Sequence, residues 1–360
     1  MRGQGGGKAG NGREWVVGTR GSPLAMAQAR EFARRVEESS RAARVTLRTF
    51  ETTGDRTAAQ GASLAGPGVK GLFTRELEEA LVSGAIDFAV HSLKDLPTTL
   101  PDHLELAGVL ARADVRDVLV YRDEAWVRAR GGPEEWSPGQ RVMRGFQRGL
   151  RLKCLPRDVA VGTSSPRRAA WVRRWAPMAE VVPLRGNVGT RLGRMSVDAS
   201  MDVVVLALAG IERLGWFVGP GGRLGRDPRR PEGSGEAVPE GLMGSVLGED
   251  EMLPAPGQGA LGIEVATRNV EARELARGLT HRNTLLSVTA EREFLRDLGE
   301  GCASPVSAWG RVIGHQVELV AAVESGGRWW TARRRRVAED AAALGVELAR
   351  EARRELGLGL

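Results

Sequence analysis

Cys154 and Cys302 are the only cysteines in 360 residues, 148 positions apart (302 − 154). That count builds no disulfide framework, and no CxxC spacing offers a zinc site. A lone cysteine is ordinarily a small buried hydrophobe. Cys302, however, lies in EGCASPV, where Gly299, Gly301 and Pro305 mark a loop. A loop thiol without a thiol partner is a candidate for covalent chemistry. Cys154 lies in an arginine-rich stretch with no such setting.

A second candidate is AVHSLKDLP, where Lys94 and Asp95 follow an apolar run containing His91. His91 falls mid-strand and reads as a packed histidine. The four histidines are not spaced as a metal set, so no metal site is expected. Asp95 is either a cap ahead of Leu-Pro or a carboxylate able to stabilise a cationic intermediate. Among guanidiniums such a carboxylate would stay ionised. Lysine occurs only at Lys8, Lys70, Lys94 and Lys153, so nearly all the positive charge is arginine. A lysine that persists against that bias is a candidate for a role that needs lysine.

The arginines cluster at turns. GTRGSP places Arg20 and Ser22 before a helix start, and GTSSPRR places Ser165, Arg167 and Arg168 in the same way. LRGNVGTRLGR adds Arg185 and Arg191 among glycines. Backbone N–H groups and the positive dipole end of a helix favour anions there, and guanidinium forks grip carboxylates or phosphates. One arginine is usually a solvated surface residue; several between Gly and Ser at strand ends indicate a cleft for a polyanion. No GxxxxGK[ST] or GxGxxG is present, which argues against nucleotides.

These residues need α/β scaffolding. Residues 14–20 read as a strand and 21–38 as a segment that becomes a helix, with Ser22 as N-cap, Pro23 at the first helical position, and Ala25, Ala29, Phe32 and Val36 forming its apolar stripe. Residues 158–175 repeat the strand, Gly-Thr, Ser-Pro, helix order, and 201–215 parallel the stretch around Asp95. Two similar α/β halves with largely parallel sheets, facing a cleft, follow from that echo. Residues 53–71 are glycine-rich and read as a mobile loop. Residues 123–157 and 217–250 read as insertions, surface excursions that are partly disordered. After residue 280 a helix, three strands and a closing helix make a small α+β unit. The expected organisation is a disordered tail at 1–13, a first domain of 14–110 with 256–280, a second of 111–255, and a third of 281–360.

In order, GTRGSPLAMAQA, KGLFTRELEEAL, DFAVHSLKDLPT, VGTSSPRRAA, LRGNVGTRLGR, LALAGIERLG, LPAPGQGALGIE and EGCASPV resemble the porphobilinogen deaminase (hydroxymethylbilane synthase) family. The likeness runs from about residue 15 to the end, outside the two insertions. It implies two periplasmic-binding-protein-like α/β domains around a cleft, plus a small C-terminal domain carrying a cofactor cysteine. It implies a transferase that condenses four porphobilinogen molecules head to tail, with loss of ammonia, to give hydroxymethylbilane. The implied cofactor is a dipyrromethane bound by a thioether to Cys302. Asp95 matches the catalytic carboxylate. Lys94, Ser165, Arg167, Arg168, Arg185 and Arg191 match cofactor-binding positions, and Arg20, Ser22, Gln28, Lys70 and Arg213 match substrate-binding ones. Gly66 departs from the pattern, because many members carry a second lysine there.

Two rivals belong to other classes. A non-catalytic anion-binding protein of the same cleft architecture would lack a use for Asp95 with Cys302. Nucleic-acid binding is favoured only by the net charge of +7, with no stacking platform or recognition motif. The N-terminal MRGQGGGKAGNGR has no apolar signal segment and no apolar run reaches membrane-spanning length. A cytoplasmic monomer acting on a small molecule, with neither nucleic acid nor membrane as partner, is expected.

Overall fold

A computed structural model describes residues 13–40, 43–54, 56, 73–131, 141–229, 236–299 and 305–359. The first sheet takes β1 (Glu14–Arg20), β2 (Arg44–Phe50), β3 (Phe88–Ser92) and β4 (Leu104–Val109), then receives β12 (Leu261–Ala266) far later in the chain. Its order is β2-β1-β3-β12-β4. The second sheet contains β5 (Asp117–Arg122), β6 (Ala160–Gly162), β7 (Glu180–Val182), β8 (Val203–Ala207) and β11 (Leu242–Val246). Its order, β11-β5-β8-β6-β7, repeats the first in reverse listing. The two echoing sequence halves thus fold into one topology.

Neither sheet is wholly parallel. β12 runs antiparallel to both β3 and β4, and β5 antiparallel to both β8 and β11. The reason is connectivity: the chain crosses between sheets twice, through residues 110–116 and 247–260, and each sheet accepts one strand from the crossing.

The helix Pro23–Ser39 begins as its sequence requires. Ser22 Oγ accepts from the Ala25 N–H at 3.3 Å, Pro23 occupies the first turn, and Ala25, Ala29, Phe32 and Val36 are buried. Phe32 meets Phe88 of β3 edge-on at 5.1 Å between centroids. The helix Pro166–Trp175 starts in the same way, with Ser165 as its cap.

The C-terminal unit is an antiparallel sheet of β13 (Val306–Ile313), β14 (Gln316–Ser325) and β15 (Arg328–Val337), packed against the helices Arg282–Leu298 and Ala341–Leu356. Gly345 and Gly310 permit this packing, since a Cβ at either would overlap the carbonyl oxygen of Ala290 or Ser287 on the first helix.

The two insertions are more integrated than their composition predicts. Within 217–250, β11 is an edge strand of the second sheet, and a hairpin of β9 (Trp216–Val218) and β10 (Leu224–Arg226) precedes it. Within 123–157, Leu152 is fully buried and the Tyr121 hydroxyl accepts from Gly149 N at 3.0 Å. Glycine and charge around these short apolar runs hide them from periodicity. The glycine-rich loop of 53–71 falls almost entirely outside the described residues.

Candidate active site

β3 ends in a single 3-10 turn, Leu93–Asp95, where Leu93 is anchored by its N–H to Ala260 O at 3.0 Å. Both crossings knit onto this turn. Lys94 Nζ donates to Gln258 Oε1 at 3.4 Å, and Gln258 Nε2 donates to Val115 O at 2.7 Å. Asp95 is exposed at the end of the turn, which sets its carboxylate toward open space at a strand's C-terminal end.

The helix Pro166–Trp175 brings its arginines to the same place. Ser165 Oγ accepts from Arg168 N at 3.4 Å, which holds the first turn. Arg167 and Arg168 are both buried, and neither reaches solvent as a surface arginine would. They converge on Asp117, the first residue of β5. Arg168 Nε donates to Asp117 Oδ1 at 2.9 Å, and Arg167 Nη2 lies 2.8 Å from Asp117 Oδ2. Backbone carbonyls take further donors: Val205 O accepts from Arg168 Nη1 at 2.8 Å, and Leu253 O from Arg167 Nη1 at 2.6 Å.

Electrostatics tie the cluster together. Burial drives the Lys94 pKa down to about 8; Asp95 and Asp117 oppose that, while Arg168 and Arg167 reinforce it. Burial likewise lowers Arg191 to about 10, with Arg168 adding to the effect and Asp95 opposing it. Burial raises Asp117, but Arg167, Arg168 and Lys94 outweigh it and hold its pKa below the ordinary carboxylate value. Lys94, Asp95, Asp117, Arg167, Arg168 and Arg191 therefore share one field.

The remaining expected site residues divide. Arg20 ends β1 with its guanidinium 4.5 Å from the Phe73 ring centroid, and Ser22 caps the adjoining helix. Arg185 is half-buried before the helix Val188–Val197, and Arg191 on that helix donates to Gly186 O at 2.7 Å. Gln28 is buried, its Nε2 donating to Ser92 Oγ at 2.7 Å, so it braces the end of β3. Arg213 bridges the halves, donating to Glu31 Oε2 at 3.2 Å and Gly259 O at 2.9 Å. Those partners hold Gln28 and Arg213 in place at the end of β3 and between the halves. Lys70 and Cys302 lie outside the described residues. His91 is a packed histidine, its Nε2 2.9 Å from the buried Glu264 carboxylate.

Sequence reasoning missed Asp117, Gln258, Arg112 and Glu291. Arg112 forms a two-point ion pair with Glu291 at 2.6 and 2.9 Å, and Glu291 also accepts from Gly257 N and Gly310 N, each at 2.6 Å. One buried carboxylate thus joins both crossings to the C-terminal unit. On the same helix, Arg292 donates to Leu96 O at 3.2 Å and Pro97 O at 2.7 Å, immediately behind Asp95. Only Gln258 had a local signal, the PAPGQGA turn.

Two α/β halves joined by a double crossing, with four cations and an exposed carboxylate at the seam, define a cleft protein suited to a ligand bearing several carboxylates. A family model described as porphobilinogen deaminase, dipyromethane cofactor binding domain, matches residues 15–274, and one described as porphobilinogen deaminase, C-terminal domain, matches 285–354. The porphobilinogen deaminase of Nitrobacter winogradskyi is 37% identical over 346 residues, covering 95% of this chain and 93% of the relative. Those of Pelotomaculum thermopropionicum and Thermus thermophilus are 38% and 39% identical, covering 96% and 82% of this chain and 95% and 80% of the relatives. The solved structure of CbnR, a LysR family transcriptional regulator, matches at a TM-score of 0.36 and 13% identity over 73% of this chain and 70% of that one, too slight a likeness to carry an argument. The chain belongs to the porphobilinogen deaminase family.

Proposed function

We infer that the cluster around Asp95 carries out the family reaction. The chain is a transferase of tetrapyrrole (haem-type) biosynthesis, a hydroxymethylbilane synthase that joins four porphobilinogen molecules head to tail and releases ammonia. It works with a dipyrromethane cofactor. The observation that supports the site assignment is that Arg167 and Arg168 meet on Asp117 at the start of β5, while Lys94, next to Asp95, reaches the same crossing through Gln258 and Val115 O.

The residues fit that cofactor, each of whose pyrrole rings bears an acetate and a propionate. Arg167 Nε is buried with no hydrogen-bond partner among the described residues, a donor that a bound carboxylate would satisfy. Lys94, Ser165, Arg167, Arg168, Arg185 and Arg191 would hold the group, with Cys302 as its covalent anchor. When bound, the cofactor supplies the pyrrole carbon on which the new chain starts. Support for Cys302 comes from its flanks: the helix bearing Arg292 ends at Leu298, and β13 begins at Val306. Six residues at the rise of an α-helix place that end about 9 Å along the axis from the grip on the Asp95 turn.

The protein groups divide the work. Arg20, Ser22 and Lys70 bind the carboxylates of incoming substrate. Asp95 stabilises the ring methylene cation left when the amino nitrogen of the substrate's aminomethyl arm departs as ammonia, and accepts a proton as the ring regains aromaticity. Lys94, Arg168 and Arg191 lower the energy of carboxylates beside it without adding protons of their own. Domain limits of 14–110 with 256–280, 111–255 and 281–360 are part of the proposal: one cluster of buried side chains lies within the first and one within the third, while the main cluster of the second also takes in Val320 and Ala322. No helix among the described residues is long and apolar enough to cross a membrane. A cytoplasmic monomer without nucleic-acid partners completes the proposal. The test is Asp95→Asn: cofactor mass retained, with porphobilinogen consumption reduced at least a hundredfold. Wild-type consumption would remove Asp95 from the chemistry.

A further inference from the structure

We propose that Asp117 is a positioning residue for the reaction, fixing Arg167 and Arg168 as one rigid pair whose remaining donors take carboxylates of the growing chain. This rests on the proposed role of the arginine pair. A carboxylate inside a site for carboxylates competes with the ligand, so its presence needs a reason. Asp117 is 0% exposed and sits where the chain first enters the second sheet. Its carbonyl accepts from Leu247 N at 2.9 Å, so the second crossing passes over the same residue. The backbone that carries the carboxylate is therefore fixed between the second sheet and the second crossing.

Both arginines meet that carboxylate. Oδ1 takes Arg168 by Nε at 2.9 Å and Nη2 at 2.8 Å, while Oδ2 faces Arg167 Nη2 at 2.8 Å. Adjacent guanidiniums repel, and each sits on a flexible stem; one shared anion cancels the repulsion and selects one rotamer for each. Stability alone does not explain the arrangement, because an apolar set of similar volume commonly stabilises a core as well as a buried ion cluster. What an apolar set cannot do is leave aligned cationic donors. Arg167 Nε is such a donor, buried and unpartnered among the described residues. Asp117 also faces Lys94, alongside Asp95 from its own turn and Arg167 and Arg168 from the helix, while Arg191 faces Arg168 and Asp95.

The experiment compares Asp117→Asn, Asp117→Glu and Arg168→Leu with the wild type. It reads cofactor by intact mass, the ladder of covalent chain lengths after limiting porphobilinogen, KM and kcat separately, and the pH profile. For Asp117→Asn the expected result is retained cofactor, a KM raised tenfold or more, a ladder stalled at short chains, and an alkaline limb moved to lower pH. Asp117→Glu keeps the limb in place, since the charge remains, yet still stalls because the longer arm misplaces the pair. An Asp117→Asn enzyme with wild-type KM, ladder and pH limb overturns the proposal. If Asp117→Asn does not fold, a wild-type KM and ladder in Asp117→Glu overturns it equally. A normal Arg168→Leu enzyme would instead remove the arginine site itself, whereas a defective Arg168→Leu beside a normal Asp117→Asn removes only the positioning role.

Discussion

Lys94 illustrates how one side chain reports its surroundings. Burial lowers its pKa from 10.5 to about 8 despite Asp95 and Asp117. The sign is fixed by the depression: folded Lys94 is charged below about pH 8 and neutral above it, while the unfolded lysine stays charged to about 10.5. Between those limits the unfolded chain binds the extra proton, so this residue penalises folding below pH 8 and the penalty fades as pH rises. Activity should run the other way, because carboxylate binding needs the ammonium. Porphobilinogen consumption is therefore expected to fall as pH rises through about 8, and Lys94→Arg should move that limb upward. A limb unmoved in Lys94→Arg would assign it to another group. Lys94, Asp95 and the arginine pairs were legible because each lies at a turn whose Gly, Ser and Pro residues announce it. Asp117 was not, since a lone acid opening a strand has no local signature and its partner Arg168 lies 51 residues away.

Two helices carry the geometry between sites. The helix Pro166–Trp175 presents the arginine pair at its start and, one turn on, Trp171, whose Nε1 donates to the buried Ser307 Oγ at 2.9 Å. Trp171 also packs on Trp329 at 4.7 Å between centroids, with the Arg174 guanidinium 4.4 Å from the Trp329 ring. The strand that follows residues 300–304 is thereby fastened to the arginine helix. Ser307→Ala strands a buried indole N–H and should cost about 1–3 kcal/mol in urea unfolding, with cofactor mass unchanged. The helix Arg282–Leu298 does the same for Asp95 through Arg292. Arg292→Leu should lower kcat while leaving cofactor mass intact; an unchanged kcat would mean that the Asp95 turn holds itself. Both helices were legible, the first from its Ser165-Pro166 start and the second as the helix that opens the C-terminal unit. Their long-range hydrogen bonds were not, because tryptophan and arginine in an amphipathic helix read as packing and surface.

At the scale of the molecule, the two halves repeat one topology, and the echo of Ser22-Pro23 in Ser165-Pro166 carries that repeat in the sequence. The antiparallel strand in each sheet was hidden, since β12 and β5 owe their direction to the double crossing rather than to composition. Edge strand β11 was hidden by the glycine and charge around it. The crossings themselves are secured by Glu291, which accepts from Arg112, Gly257 and Gly310 across separations as long as 179 residues. Glu291→Gln leaves the Arg112 guanidinium, 10% exposed, without its counter-ion and should destabilise the fold by about 3–5 kcal/mol in chemical denaturation. The central proposal joins these scales: Cys302 carries the dipyrromethane while Asp95 and the arginines serve its far end. Intact mass of the purified wild type beside Cys302→Ala and Cys154→Ala tests it most directly. The wild type and Cys154→Ala should exceed their sequence masses by one dipyrromethane and consume porphobilinogen, while Cys302→Ala should match its sequence mass and consume none. A Cys302→Ala protein that still carries the added mass, or a wild type that never does, would contradict the account.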